Sequence, residues 1–143
     1  MENNIMLKKI DQSKIKQLGV NKPAFTQILT LYIPDRDKDG KKIKNINKWI
    51  KEAQKILTII GGGCTMTHPA NGTWINPKTN NKNIIIEKTI ILYTYVDSDK
   101  FENNFEDLKQ FLHNFGKETN HGEVVFEFDG VLYKIDKYQS PTD

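Results

Sequence analysis

Gly61-Gly62-Gly63-Cys64-Thr65-Met66-Thr67-His68-Pro69-Ala70-Asn71-Gly72-Thr73-Trp74 is the stretch on which the fold turns. Upstream of it, Ile46, Trp49, Ile50, Ala53, Ile56, Leu57 and Ile60 recur every three or four residues, the spacing of one helix face. Downstream, residues 83–96 read as one long strand. A phosphate-binding glycine loop must precede its helix, so that free N–H groups and the positive dipole end meet the anion. Here the glycines follow the helix, at its negative end. They therefore read as a helix stop and a close turn. Cys64 to Thr67 is then a short strand, a bend spans Pro69 to Gly72, and Trp74-Ile75 resumes the strand.

The flanking segments follow from the same periodicities. Within 83–96, Ile84, Ile86, Ile90, Leu92 and Val96 point one way, and Glu87, Thr89, Tyr93 and Tyr95 the other. Before the helix, Phe25 to Ile33 alternates, with Phe25, Leu29, Leu31 and Ile33 on one face and Thr26, Ile28, Thr30 and Tyr32 opposite, until Pro34 ends the strand. Asn45 or Asn47 caps the helix. Pro77 to Asn81 is a turn. Ser98 or Asp99 caps a second helix, whose Phe101, Phe105, Leu108, Leu112 and Phe115 form a stripe that Gly116 terminates. Glu123 to Phe128 and Val131 to Lys137 flank Asp129-Gly130, a strong hairpin signal. At the front, Ile5, Leu7, Ile10, Ile15 and Leu18 make an imperfect stripe over 4–18, stopped by Gly19 and the Asn21-Lys22-Pro23 break.

The order strand, helix, strand, strand, helix, strand, plus a hairpin strand, predicts an α+β fold: a ferredoxin-like antiparallel sheet with helices 46–60 and 100–115 on one face. Phe25, Leu29, Ile86, Ile90, Leu92, Val124 and Phe126 are expected under the helices. Thr26, Thr30, Tyr32, Glu87, Thr89, Tyr93 and Tyr95 are expected on an open, polar-aromatic face. The chain of 143 residues reads as a single domain, with 1–22 a helical appendage and 23–138 the core.

Composition excludes several function classes. With 37% hydrophobic residues and no apolar run near the roughly 18 residues of a membrane span, a membrane partner is not expected. The N-terminus lacks a secretory signal pattern, and the single Cys64 cannot form an internal disulfide, which together point to the cytoplasm. The net charge of +3 rests almost wholly on lysine, Arg36 being the only arginine. Arginine supplies the bidentate forks that read guanine edges, so sequence-specific nucleic-acid recognition is not expected.

Candidate chemistry is sparse. Asp35-Arg36-Asp37-Lys38-Asp39-Gly40 opens like a calcium loop, but the twelfth position, where a bidentate carboxylate is needed, holds Ile46. One cysteine and three scattered histidines show no ligand spacing, so neither a metal nor a cofactor is expected. His68 and His121 are the acid–base candidates. Two-histidine phosphodiesterases place a hydroxyl two residues after each histidine, whereas Ala70 and Glu123 stand there. Cys64 reads as a packed thiol. Glu87, a carboxylate in mid-strand, is the strongest single functional candidate. Trp74, Tyr93 and Tyr95 offer stacking surfaces for a base or, equally, an aromatic face for a homodimer.

Pro34-Asp35-Arg36-Asp37, Gly62-Gly63 with Thr65, Gly72-Thr73-Trp74, Glu87-Lys88 and Thr119-Asn120-His121-Gly122-Glu123-Val124 resemble an uncharacterised family of small bacterial and phage-borne proteins, over about residues 25–136. The resemblance implies a ferredoxin-like fold and brings no established activity. Its pattern has glutamine at the place of His121 and no histidine at that of His68, so it implies a catalytic role for neither.

The expected function is binding of a nucleotide-like small molecule by Arg36, Thr65, Thr67, His68, Trp74, Glu87, Tyr93 and Tyr95, in the setting of phage sequestration of an immune signal. The alternatives are a small phosphodiesterase or nuclease acting on a cyclic nucleotide, using His68, His121 and Glu87, and a homodimeric interaction module without a small ligand.

Overall fold

The computed structural model describes residues 10–20, 24–76 and 83–139. The fold is α+β, with helices packed on one face of an antiparallel sheet. At its centre β1 (Ile28–Pro34) pairs along its whole length with β4 (Ile84–Tyr95), from Ile28↔Tyr95 to Pro34↔Thr89. On its other side β1 pairs with β5 (Val124–Phe128) only from Leu29↔Phe128 to Leu31↔Phe126. Beyond that rung the two strands part. β6 (Val131–Ile135) continues the sheet from β5 through a hairpin whose Asp129 and Gly130 both have positive φ, 54° and 82°, as a two-residue turn of this hand requires. On the far side of β4 lie β2 (Thr65–Met66) and β3 (Ala70–Ile75), giving the order β2/β3, β4, β1, β5, β6.

α2 (Ile46–Gly61) buries Trp49, Ala53, Leu57 and Ile60, and α4 (Phe105–Glu118) buries Leu108, Phe111, Leu112 and Phe115. These side chains meet Leu29, Leu31, Ile33, Leu92 and Val124 in one core. Gly61 closes α2 so near β4 that a Cβ would collide with Thr94 Oγ1, and Gly62 takes the left-handed cap at φ 81°, its N–H donating to the Thr58 carbonyl at 2.8 Å. The glycine run is thus a helix stop. The Thr94 hydroxyl donates to the Gly63 carbonyl at 2.5 Å and pins the exit.

Several expectations need correction. Phe25 is 40% exposed and Ile86 67%, so neither lies under a helix. β1 begins only at Ile28, leaving Phe25 outside it, and β4 runs past the end of β1 at Thr89, so that Ile86 lies where β4 pairs with β3 alone. The second helix is two, α3 (Ser98–Asn103) and α4, separated at Asn104. Its cap is Asp97, whose Oδ1 accepts from the Asp99 and Lys100 amides at 3.1 Å, in place of Ser98 or Asp99. Gly116 does not end α4; it is buried within it, where a Cβ would collide with the Tyr138 ring. Asn45 precedes α2 in the left-handed region, φ 61°, with no side-chain cap. The last strand stops at Ile135. Among the described residues near the front, only Gln12–Lys16, α1, is helical; Ile10 and Leu18 are exposed, and residues 4–9 of the expected helix and the turn at 77–81 lie outside the described residues. Among the described residues no helix is long and apolar enough to cross a membrane.

Candidate functional site

A cleft of about 170 Å³ opens where β1 and β5 part, lined by Tyr32, Pro34, Glu87, Thr89, Phe115, Glu123, Val124 and Val125. Register explains it. Tyr32 and Pro34 leave β5 behind but stay bonded to β4, while Val124 and Val125 stay bonded to β6. The floor of the gap is the Phe115 ring from α4.

Glu87 stands on the rim, half-buried, opposite Gly72. The Trp74 indole N–H donates to Glu87 Oε2 at 3.3 Å, fixing one carboxylate oxygen. Burial raises the Glu87 pKa; the indole hydrogen bond lowers it and the Asp35 carboxylate raises it further. Asp35 is close because its backbone N–H donates to the Lys88 carbonyl at 2.8 Å and its Oδ1 accepts from the Lys88 amide at 3.0 Å. Across the cleft, Glu123 is paired with Lys134 at 3.4 Å, an exposed contact of small energetic weight. The Tyr32 hydroxyl donates to Glu127 Oε1 at 2.5 Å, and burial, then that bond and the charge of Glu127, push its pKa up to about 12. Tyr32 is thus a protonated wall of the cleft, not a base.

The loop after β1 and the turn before β5 are knitted together behind the cleft. Asp37 Oδ1 accepts from the Asp39 and Lys41 amides at 2.8 and 3.0 Å, and Asn120 Nδ2 reaches Asp37 and Asp39 at 3.4 and 3.2 Å. The aspartates that resemble a calcium loop therefore act as turn acceptors. Among the described residues no group of three metal-ligating side chains forms. Arg36 is drawn into its own loop: Nη1 donates to the Gly40 carbonyl at 3.2 Å, with Nε 4.0 Å from Asp35.

The sequence-predicted residues fall into two groups. Trp74, Glu87 and the backbone of Arg36's loop gather at the cleft end of the sheet. Thr65 pairs with Tyr93, and Tyr93 lies six residues along β4 from Glu87, roughly 20 Å at the rise of a strand. Tyr95 is farther still, and 52% exposed. Thr67 follows β2 directly; its N–H donates to the Ile91 carbonyl at 2.9 Å and its Oγ1 accepts from the Ile91 amide at 3.3 Å. His68 is exposed in the β2–β3 link, whereas His121 is 8% exposed beside Phe115, ring centroids 4.8 Å apart. Among the described residues no hydrogen bond joins His68, His121 and Glu87 to one another. Cys64 is partly buried, and burial raises its thiol pKa. Pro34, Thr89, Glu123 and Tyr32 are site residues that sequence reasoning did not assign, because only the parting of β1 and β5 brings them together.

No protein-family model matches the sequence, and no curated protein does. Among solved structures, a phage SAM lyase in complex with S-methyl-5'-thioadenosine is similar over 82% of this chain and 95% of its own, at TM-score 0.56 and 11% identity. A phage SAM lyase in the apo state is similar over 85% and 98%, at TM-score 0.54 and 10% identity. At this identity the likeness establishes a shared fold.

Proposed function

We propose that this protein binds a small nucleoside, without a phosphate, at the cleft between β1 and β5. The observation that carries this is the cleft's charge and neighbourhood: Glu87 and Glu123 face it, Asp35 stands behind Glu87, and an indole lies beside it. A phosphate is disfavoured among these carboxylates, and Arg36 is turned to its own loop. The cleft is smaller than the roughly 300–1,000 Å³ of a pocket that encloses a whole ligand. A sugar-sized group enters it, and the base lies on the open face by Trp74, which supplies a stacking surface. That a solved protein of this fold holds a thioadenosine supports the ligand class. Binding is favoured over turnover because, among the described residues, no imidazole is hydrogen-bonded to Glu87: His121 is buried against Thr119 and His68 is exposed in the β2–β3 link. The setting in keeping with this is sequestration, in a phage, of a nucleoside-type molecule used by the host.

Calorimetry tests this with adenosine, S-methyl-5'-thioadenosine and SAM set against ATP and cyclic dinucleotides. The unphosphorylated compounds should bind at least roughly tenfold more tightly, and mass spectrometry should recover them unchanged. A product in place of the ligand would make the protein an enzyme. Binding of phosphorylated compounds alone would overturn the assignment. No binding by any of them, with a dimer in light scattering, would leave the interaction module.

A further inference from the structure

Gly72 faces Glu87 across the β3–β4 ladder and leaves open a notch beside Glu87 and Thr89, two of the residues that line the cleft. A Cβ at position 72 would sit 3.1 Å from Thr89 Oγ1 and 3.7 Å from Glu87 Oε1, so both oxygens border the space that the missing side chain vacates. Thr89 is 8% exposed and lines the cleft. Among the described residues its hydroxyl has no hydrogen-bond partner and is not sealed from solvent, so it is open to a group entering the cleft. Glu87 is in a matching condition: the Trp74 indole occupies Oε2, and Oε1 has no donor among the described residues. A hydroxyl that both gives and takes a proton thus stands beside a carboxylate oxygen that only takes one.

We infer that the Gly72–Thr89–Glu87 notch is the subsite for a ribose hydroxyl pair, so that the ligand is a ribonucleoside and not a deoxyribonucleoside. The inference rests on the nucleoside reading above and names which part of the ligand enters the cleft. Two neighbouring hydroxyls suit the notch: one donates to Glu87 Oε1, and the other exchanges a hydrogen bond with Thr89. Trp74 is the positioning residue, because its N–H holds the carboxylate so that Oε1 stays free. Glycine is needed at position 72 for the space alone, since its φ lies in the ordinary range and the strand would accept alanine there without backbone strain.

The test compares adenosine with 2'-deoxyadenosine and 3'-deoxyadenosine by calorimetry on the full chain. The deoxy compound that lacks the hydroxyl facing Glu87 should bind roughly 10- to 100-fold more weakly, the range for a lost hydrogen bond to a charged group, and the one that lacks the hydroxyl facing Thr89 roughly 3- to 10-fold, the range for a neutral pair. Thr89→Val keeps shape and strand preference, and should bring the ribo-to-deoxy ratio close to one for one deoxy compound while leaving the other; Glu87→Gln should reduce that other ratio, and Gly72→Ala should weaken adenosine itself by filling the notch. Melting curves near wild type in Thr89→Val separate this from a folding defect. Equal binding of adenosine and both deoxy compounds overturns the notch assignment and leaves the nucleoside reading standing. No binding of any nucleoside overturns both.

Discussion

His121 occupies a site that leaves one of its ring nitrogens without use. The Thr119 hydroxyl donates to the Phe115 carbonyl, so its oxygen is the acceptor for His121 Nδ1–H at 2.6 Å. Nε2 is therefore a bare acceptor, sealed from water and, among the described residues, without a partner of proper geometry. Burial pushes its pKa down to about 4, against the opposing pull of the Asp37 carboxylate and the Arg36 backbone. The sign follows from linkage. The unfolded chain takes up a proton near pH 6.5, while the folded ring resists it until about 4, so the unfolded state binds more protons across that window. Stability is full above 6.5 and falls with pH, by about 3 kcal/mol on reaching 4. Urea melts at pH 7, 5.5 and 4.5 should show this slope, and His121→Gln should flatten it, leaving only the carboxylate contribution. A slope unchanged in that variant would place the titration elsewhere.

Among the elements, α4 shows best where periodicity succeeds and where it misleads. Of the expected stripe Phe101, Phe105, Leu108, Leu112 and Phe115, the last three are buried as the spacing predicts, whereas Phe101 is only partly buried and Phe105 is 43% exposed. α2 buries Trp49, Ala53, Leu57 and Ile60 of its own stripe, and the Asp129-Gly130 hairpin forms. Strong periods and a turn of demanding backbone geometry are local properties, so they are legible in sequence. In sequence Gly116 reads as a stop, because glycine commonly follows the last helical turn. It serves instead as a notch for Tyr138, which lies 22 residues on in the chain, and its hydroxyl donates to the His121 carbonyl at 2.9 Å. No local pattern announces such a contact. Gly116→Ala should destabilise the protein by about 1–3 kcal/mol, the usual cost of overpacking, despite alanine's better helix propensity. Made in a Tyr138→Ala background, the same change should become neutral or favourable, because the ring it meets is gone. If the two effects simply add, Tyr138 is not what Gly116 accommodates.

For the whole molecule, the decisive feature is the seam between β1 and β5. Both strands were legible, but their divergence after Leu31↔Phe126 was not, because it follows from how three elements share the ends of β1. The cleft inherits that illegibility: Glu87 stood out as a carboxylate in mid-strand, while Thr89 and Glu123 did not, and Tyr93 and Tyr95 belong to the other end of the sheet. The seam also bears on stability. β5 and β6 are joined to the remaining sheet by a short ladder, so this hairpin is expected to open below the global unfolding free energy. Native-state hydrogen exchange should show the 124–135 amides exchanging faster than those of β1 and β4. A nucleoside spanning the seam should slow them; at a hundred times its Kd the added protection is about 2.7 kcal/mol. Equal protection in both halves of the free protein would mean that the sheet opens as one unit.

The three glycines after α2 are identical letters with different tolerances. Position 61 is closed by the bulk of Thr94 and the Tyr95 carbonyl, and its alphabet has one member. Position 62 is open in space but held at φ 81°, which asparagine and aspartate also visit, so its alphabet has a few members. Position 63 has open space and an ordinary φ, and contributes to Thr94 only a carbonyl that every residue carries. A lineage drifting from this sequence is free to rewrite the third glycine, to edit the second, and to leave the first alone.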